Sequence, residues 1–447
     1  MEIKRNILKE LAEWKDREER RPLVLQGARQ IGKTWVVKKF GSEYFKYLAY
    51  FNFDANIELH KEFVKTKDVR RLLDTLCLYC EVPLLPGETL IFFDEIQECP
   101  EALNALKYFC EDLPEFHVVA AGSLLGVALH KEKGFPVGKV DFLQMYPVSF
   151  DEYFGACNER LCSILESCRE IKDLADIPEI LKSAVEDAFR RYRICGGMPK
   201  AAVLSLESGG NERIEMELRE LLNSFLYDFS KHAPAADFPR ISHIWRSLPS
   251  QLAKENRKFI YKVVKPGARA REYEGAINWL REAGLIYQIF CSTKPGLPIS
   301  VYDDLSAFKL YLLDCGLLRT LSQMPAELYV SENPGFVEFK GALAENMVLQ
   351  QMLASKCPMP RYWVSAGTAE VDFIMQSGLE IIPIEVKYGT NSAGKSLSVY
   401  IKKYMPSKAI VVSEKEFCIK EGETEIIHLP FSLLPWGLRL ICRQYRY

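Results

Sequence analysis

Eight consecutive residues near the start of the chain have the types and spacing that bind phosphate. They are Gly27, Ala28, Arg29, Gln30, Ile31, Gly32, Lys33 and Thr34, and they fit the pattern G-x-x-x-x-G-K-[ST]. The glycines let backbone N–H groups wrap an anion, and the helix that follows directs its N-terminus at the same anion. In this geometry Lys33 reaches the β- and γ-phosphates of ATP, and Thr34 places its hydroxyl on Mg²⁺.

Two acids, Asp94 and Glu95, end the apolar strand candidate TLIFFDEIQ. At this position after a phosphate loop, Asp94 can hold Mg²⁺ and Glu95 can orient and deprotonate an attacking water. The pair therefore predicts hydrolysis of ATP rather than binding alone. The next strand candidate, FHVVAAGS, ends in Ser123, which could contact the γ-phosphate. The alternative is that Ser123 caps the helix that follows.

A further set of polar residues lies near the C-terminus, around VDFIMQSGLEIIPIEVKYG. Asp372 precedes a hairpin turn, and period-2 alternation puts Glu385 and Lys387 on one face of the second strand. Glu345 lies in the helix candidate GALAENMVLQQMLA. This order is typical of PD-(D/E)xK nucleases, whose acids gather Mg²⁺. A Glu-x-Lys also occurs in ordinary edge strands, so an inactive hairpin stays open.

A basic stretch in the middle of the chain is a candidate DNA contact. It contains seven cations, Lys254, Arg257, Lys258, Lys262, Lys265, Arg269 and Arg271. Helix, short apolar piece, helix and strands follow one another here, which suits a winged helix. Such a stretch could neutralise several phosphates and give salt-dependent affinity. The alternatives are a solvated charged face, or a winged helix that only holds domains together.

Particular elements are needed to position these residues. Apolar strand candidates alternate with helix candidates in the first part of the chain, which predicts a parallel sheet with crossover helices. We predict the α/β class, with a P-loop NTPase parallel sheet covered by helices on both faces. A helical and winged-helix region and a small α/β restriction-endonuclease-like domain follow it. The predicted domains are residues 1–154, 155–232, 233–330 and 331–447.

Composition limits the function classes. The 447 residues carry a formal net charge of −2, so any nucleic-acid contact has to be local. The 13 cysteines show no disulfide framework, which suits a reducing cytoplasm. Cys77 and Cys80 form a CxxC on a helix candidate without further ligands nearby, which favours ordinary thiols over zinc. No signal peptide or bilayer-spanning run is visible, which predicts a cytoplasmic protein without membrane contact.

Nine stretches of the sequence together resemble one protein family. They are LQGARQIGKT, LIFFDEIQ, AAGSLLG, FPVGKVDFLQMYPVSFDEY, GGMPKA, WLREAGLIY, FKLYLLDCGLL, GALAENMVLQQM and IEVKYG. Over nearly its whole length the chain is similar to predicted ATPases of bacteria and archaea that join an AAA-type domain to a C-terminal domain long described as of unknown function. The resemblance implies ATP binding at the loop, a Mg²⁺-binding Asp94, a catalytic Glu95 and a C-terminal part similar to PD-(D/E)xK nucleases.

One position departs from the pattern of that family. Relatives usually carry Gly-Arg where this chain has Gly138-Lys139. If the arginine acts as an arginine finger, Lys139 is a weaker substitute, because it lacks the planar fork, and hydrolysis is slow. A structural role for the position is the alternative.

Two main hypotheses follow, and both require ATP and Mg²⁺. In the first, an ATP-hydrolysing protein couples its nucleotide state to a DNA-interacting, nuclease-like C-terminal half. In the second, it is an ATP-dependent switch or scaffold whose nuclease-like part is inactive and binds a protein partner. A homo-oligomer stays open in both. A third hypothesis is a nucleotide-binding protein with negligible turnover.

Overall fold

The computed structural model describes residues 1–123, 126, 138–207, 209–254, 257–330, 337–389 and 394–443. They form two compact units. The N-terminal unit comprises Arg5–Tyr146 and Glu282–Leu285, and the C-terminal unit comprises Met1–Lys4, Pro147–Arg281 and Ile286–Tyr447.

The N-terminal unit is built on a five-stranded sheet in the order β2-β3-β4-β1-β5, in which every neighbouring pair is parallel. Its strands are β1 (Leu23–Gln26), β2 (Tyr47–Asn52), β3 (Thr89–Asp94), β4 (His117–Ala121) and β5 (Asp141–Gln144). Its helices are α1 (Ile7–Lys15), α2 (Lys33–Tyr44), α3 (Ile57–Lys65), α4 (Val69–Tyr79) and α5 (Pro100–Asp112). The predicted α/β class and parallel sheet are confirmed.

Apolar runs explain the central strands of this sheet. Every residue of β3 and of β4 is buried, as expected for parallel strands covered on both faces. Beside the sheet, the ring of Phe93 meets the rings of Phe53, Phe63 and Phe109 edge-on, with centroids 5.7 to 5.8 Å apart. This packing fixes the end of β3, the strand that carries Asp94.

The C-terminal unit contains a helical group and a mixed sheet. Its helices are α6 (Phe150–Cys157), α7 (Glu159–Ser167), α8 (Glu179–Cys195), α9 (Pro199–Leu206), α10 (Asn211–His232), α11 (Phe238–Leu252), α12 (Tyr261–Val264), α13 (Ala270–Glu282), α14 (Cys315–Leu321), α15 (Ala326–Val330), α16 (Val337–Ala354), α17 (Lys395–Tyr404) and α18 (Leu434–Arg443). Its strands are β6 (Ile286–Ser292), β7 (Asp303–Leu312), β8 (Arg361–Val364), β9 (Glu370–Ser377), β10 (Glu380–Val386), β11 (Lys408–Ser413), β12 (Cys418–Lys420) and β13 (Glu425–Pro430).

These strands form one eight-stranded sheet in the order β12-β13-β11-β10-β9-β8-β6-β7. β9 lies antiparallel to both of its neighbours, β8 and β10, and β11 lies parallel to β10 after the crossover through α17. The hairpin expected as a wing, β6 and β7, does not stand apart. β6 pairs in parallel with β8, with Cys291 opposite Tyr362, so the hairpin extends the large sheet.

The predicted domain boundaries stay predictions. The sequence predicts a first domain over residues 1–154, whereas the compact N-terminal unit comprises Arg5–Tyr146 and Glu282–Leu285. The backbone N–H of Phe150, at the start of α6, donates to Gln351 Oε1 in α16 across 2.9 Å, which ties this segment to the later helices. The further division at residues 232 and 330 stays a prediction.

Two of the sequence stretches, GGMPKA and FKLYLLDCGLL, meet inside the C-terminal unit. The buried carboxylate of Asp314 accepts from the backbone N–H groups of Gly197 at 2.5 Å and Leu317 at 2.9 Å. Gly196 has φ +67, and a Cβ there would lie 2.4 Å from Asp314 Oδ1. The double glycine therefore makes room for a buried acid that caps α14.

Candidate functional site

The predicted phosphate loop connects β1 to α2. Gly27 has φ +148 and Gly32 has φ +92, a region that L side chains rarely adopt. A Cβ on Gly27 would lie 2.5 Å from Met145 O and from the Cδ1 of buried Ile31, so glycine is required there. Because α2 begins at Lys33, its first N–H groups border the loop and favour an anion.

The Lys33 side chain is folded into the loop. Its ammonium donates to Gly27 O at 2.9 Å and to Ala28 O at 2.7 Å, and the residue is only 7% exposed. Burial lowers the pKa of Lys33 to about 8. Of the remaining loop residues, Ala28 is buried, and Arg29 and Gln30 are exposed. Lys33 thus lies where incoming phosphate oxygens would replace backbone carbonyls.

Asp94 and Thr34 converge as the sequence predicts. Thr34 Oγ1 donates to Asp94 Oδ2 across 2.9 Å, and Tyr50 Oη donates to the same oxygen across 3.0 Å. Asn52, opposite Asp94 in the β2–β3 register, donates to Tyr50 Oη at 3.1 Å. Burial raises the pKa of Asp94, and the two hydroxyl hydrogen bonds act against that rise. A hydroxyl and a buried carboxylate side by side form a donor set that fits Mg²⁺.

Glu95 is held by two neighbours. Its Oε2 accepts from Ser123 Oγ at 3.1 Å and from Gln97 Nε2 at 2.7 Å. Glu95 has φ +50, a left-handed conformation that is uncommon for a non-glycine residue and occurs at functional sites. The sequence pointed to Glu95 and Ser123 but missed Gln97. The feature that could have indicated Gln97 is its polar side chain, two positions after Glu95, in a segment that begins as an apolar strand.

Lys139 forms an exposed ion pair with a residue of the N-terminal unit. Its ammonium pairs with Glu111 on α5 at 2.9 Å, and it is 43% exposed. The hydrogen bond that Lys139 donates to Glu111 raises the pKa of Lys139. An exposed ion pair of this kind adds little stability, so Lys139 can leave Glu111 readily. A finger function of Lys139 stays a prediction.

The four predicted nuclease residues come together in the C-terminal unit. β9 and β10 are antiparallel, with Phe373 opposite Ile384, so Asp372 lies beside Glu385. Asp372 Oδ2 accepts from the backbone N–H of Val386 at 2.8 Å, and Lys387 pairs with Glu385 Oε1. Glu345, on α16, is buried within the same group.

Several residues that the sequence did not single out belong to the same group. Tyr311 Oη donates to Glu345 Oε2 at 2.9 Å, and the fully buried Lys309 lies 3.8 Å from that oxygen. Lys309 also pairs with Glu370 at 2.5 Å. We name Glu345, Glu370, Asp372 and Glu385 the carboxylate cluster.

Arg257 corrects one prediction of a DNA contact. Its Nη1 contacts Glu345 Oε1 and lies 3.8 Å from Asp372 Oδ1, so the guanidinium is committed to the carboxylate cluster. Phe259, two residues further along the chain, is buried and stacks on Phe308. A density of basic letters cannot reveal which cation turns inward. Of the other six, Lys254 is half-buried, and Lys258, Lys262, Lys265, Arg269 and Arg271 are exposed.

The carboxyl group of Glu385 is strongly perturbed by its surroundings. Burial, followed by the neighbouring Asp372 carboxylate, raises the pKa of Glu385 to about 8. Its Oε2 is buried and has no hydrogen-bond partner within the described part of the chain. Those described residues also contain no group of three His, Cys, Asp or Glu side chains arranged to hold a metal ion.

Family comparisons agree with the geometry of the phosphate loop. Residues 19–154 match the family described as an AAA domain. Residues 186–328 and 340–432 match two families described as domains of unknown function, DUF8612 and DUF4143. No curated protein matches the chain.

Three solved structures show low sequence identity to this chain. The Walker-type ATPase paby2304 of Pyrococcus abyssi is 16% identical, with a TM-score of 0.44, over 72% of this chain and 96% of that one. The ORC2 protein of Aeropyrum pernix, in its ADP form, is 13% identical, with a TM-score of 0.31, over 74% and 96%. The ORC1 protein of Aeropyrum pernix, in complex with DNA, is 12% identical, with a TM-score of 0.24, over 72% and 93%.

The match to an AAA domain over residues 19–154 and the phosphate loop support ATP binding by the N-terminal unit. Among the described residues, no helix is long and apolar enough to cross a membrane.

Proposed function

We propose that the AAA domain binds ATP with Mg²⁺ and hydrolyses it to ADP and phosphate. The observation that carries the proposal is the placement of Glu95. Its carboxylate is held by Ser123, and Asp94, the adjacent residue, is held by Thr34. A base for water and a donor set for a cation thus stand next to each other at the end of β3.

Each residue has a distinct task in this proposal. Lys33 exchanges its two carbonyl partners for β- and γ-phosphate oxygens. Thr34 and Asp94 would hold Mg²⁺, which neutralises phosphate charge when bound. Glu95 orients the attacking water and accepts its proton, and Ser123 positions the carboxylate that does so.

The test is phosphate release measured beside nucleotide binding. Glu95→Gln keeps the shape of the side chain but loses the base, so we expect turnover to fall by about 10²-fold or more with ATP still bound. Lys33→Ala should lose ATP binding itself. Glu88→Gln, which removes an exposed carboxylate paired with Lys46, is the matched control and should behave as wild type. Equal turnover of wild type and Glu95→Gln would leave a nucleotide-binding protein without this catalysis.

We further propose that the C-terminal unit contacts DNA and that nucleotide state controls it. Five exposed cations between Lys258 and Arg271 support the contact, because such a surface neutralises phosphates. Glu345, Asp372, Glu385 and Lys387 support nuclease-like chemistry, since they meet in the order that such enzymes use. The alternative is an inactive cluster in a protein-binding scaffold.

DNA-stimulated ATP turnover separates these two proposals. Turnover that rises with added duplex, and loses that rise in Lys262→Gln/Lys265→Gln, supports a DNA contact. Cleavage of plasmid with Mg²⁺ or Mn²⁺, absent in Lys387→Ala, would identify the nuclease. Turnover indifferent to DNA, with no cleavage, favours the scaffold.

A further inference from the structure

The carboxylate cluster is matched by cations of the protein itself. Its four acids face three side-chain cations, Arg257, Lys309 and Lys387. Lys387 is the lysine that the nuclease pattern requires. Arg257 and Lys309 are additional, and both contact Glu345. An acid that already shares its charge with two cations has little left for a metal ion.

Arg257 approaches two acids of the cluster that lie on different elements. One nitrogen, Nη1, contacts Glu345 on the helix α16 and lies 3.8 Å from Asp372 on the strand β9. These two elements hold the acids that a divalent ion would have to join. The remaining orphan, Glu385 Oε2, is buried beside them and has no hydrogen-bond partner among the described residues.

The fold makes room for the guanidinium. Gly341 lies one turn before Glu345 on α16, and a Cβ there would come within 3.1 Å of Arg257 Nη2. The side chain of Arg257 is 18% exposed, and its backbone has φ +47, a left-handed conformation that is rare for arginine. Arg257 thus enters the cluster from the protein surface, through a space that a larger residue at position 341 would fill.

We propose that Arg257 is the resident cation of the carboxylate cluster. It pairs with Glu345 and lies 3.8 Å from Asp372, and it closes the cluster to metal while its guanidinium lies there. The described residues contain no group of acids arranged to hold a metal ion with Arg257 in place, and removal of the guanidinium lets Glu345, Asp372 and Glu385 close around a divalent ion. The inference rests on the proposed nuclease-like site and describes its regulation.

The experiment measures metal binding rather than activity. Mn²⁺ is titrated calorimetrically into the full-length, nucleotide-free chain, in wild type, Arg257→Gln and Arg257→Gln/Asp372→Asn. We expect Arg257→Gln to gain one Mn²⁺ site at least about tenfold tighter than any site in wild type. The double variant should lose it. Arg246→Gln removes an exposed arginine on α11 and is the matched control, which should bind Mn²⁺ as wild type does.

Two results would overturn the inference. One is a folded Arg257→Gln protein that gains no Mn²⁺ site. The other is a wild-type Mn²⁺ site that disappears in Asp372→Asn, because metal would then enter with Arg257 present. If Arg257→Gln unfolds, Arg257→Met keeps most of the side-chain volume and takes its place. If both unfold, wild type against Asp372→Asn decides alone, and loss of a wild-type Mn²⁺ site in Asp372→Asn overturns the inference.

Metal binding and the proposed functions can fail separately. If wild type cuts no DNA and Arg257→Gln gains the Mn²⁺ site, the inference about Arg257 holds. Only the proposal that the resting protein is a nuclease then fails. Wild-type cleavage that Lys387→Ala abolishes, without a metal site in Arg257→Gln, would do the opposite. ATP turnover by the AAA domain does not enter either result.

Discussion

The Ser123 hydroxyl donates to Oε2 of Glu95 across 3.1 Å, which links the segments that follow two adjacent strands, β4 and β3. Because the hydroxyl touches the base and not the substrate, its loss should lower kcat more than it changes KM. We expect Ser123→Ala to lower kcat by about tenfold, less than loss of Glu95 itself. Steady-state phosphate release checks this, with Ser123→Thr expected to restore much of the rate. An unchanged kcat would instead assign Ser123 to capping.

Proton uptake at Lys33 should accompany ATP binding. Burial lowers the pKa of Lys33 in the free protein to about 8, and a bound phosphate raises it again. Below about pH 8 the free protein already carries the proton, so affinity should be flat there. Above about pH 8 the proton must be taken up, and affinity should fall as pH rises.

Calorimetry of ATP binding above about pH 8 in two buffers with different ionisation enthalpies measures that proton. Lys33→Arg stays charged throughout this range and should show no such uptake. Identical binding heats for wild type in the two buffers would contradict the expectation.

Tyr50 should set the acidic limit of turnover. Burial raises the pKa of Asp94, and the hydrogen bond from Tyr50 opposes that rise. Tyr50→Phe removes this support, so Asp94 protonates at a higher pH and loses its capacity to hold a cation. The acidic limb of the kcat/KM profile for ATP should move to higher pH. Tyr44→Phe, at an exposed position on α2, serves as the control, and superimposable profiles for Tyr50→Phe and wild type would refute the argument.

Gly196 should be required for stability of the C-terminal unit. Alanine there would have φ +67 and place a methyl group 2.4 Å from Asp314 Oδ1 and 2.7 Å from Gly316 N. We expect Gly196→Ala to lower the free energy of unfolding by about 2–4 kcal/mol through strain and a displaced buried acid. Thermal and denaturant unfolding measure it. Gly210→Ala, at a position with nothing within 4 Å of the added Cβ, should change stability by less than about 0.5 kcal/mol.

The sequence was informative wherever a site is built from neighbours along the chain. The phosphate loop could be predicted from eight consecutive residues, because a loop of this kind binds phosphate with its own backbone N–H groups. Asp94 and Glu95 were legible because an apolar strand delivers them to one edge of the sheet. Tyr50 and Gln97 were not, since their contacts with Asp94 and Glu95 depend on register and on a tight turn.

Long-range ion pairs limited the reading of the C-terminal unit. Glu345, Asp372, Glu385 and Lys387 could be ordered by element, yet nothing in their spacing shows that Arg257 reaches them. The sequence does not distinguish one basic residue of this stretch from another, because the burial of one of them among four acids depends on the packing of α16 against β10. The strand β5 lacks the apolar run that marks the central strands, because it has four residues, of which two are half-buried and two are exposed.

The pairing of β6 with β8 has a consequence for how this chain can be divided or exchanged between proteins. β6 lies in the segment that matches one family of unknown function, and β8 lies in the segment that matches the next. A cut between the two families would leave each fragment with a bare row of backbone amides and carbonyls, which invites pairing between molecules. The two segments are thus separate in sequence but share one sheet. A recombinant protein that stays soluble has to receive both segments together.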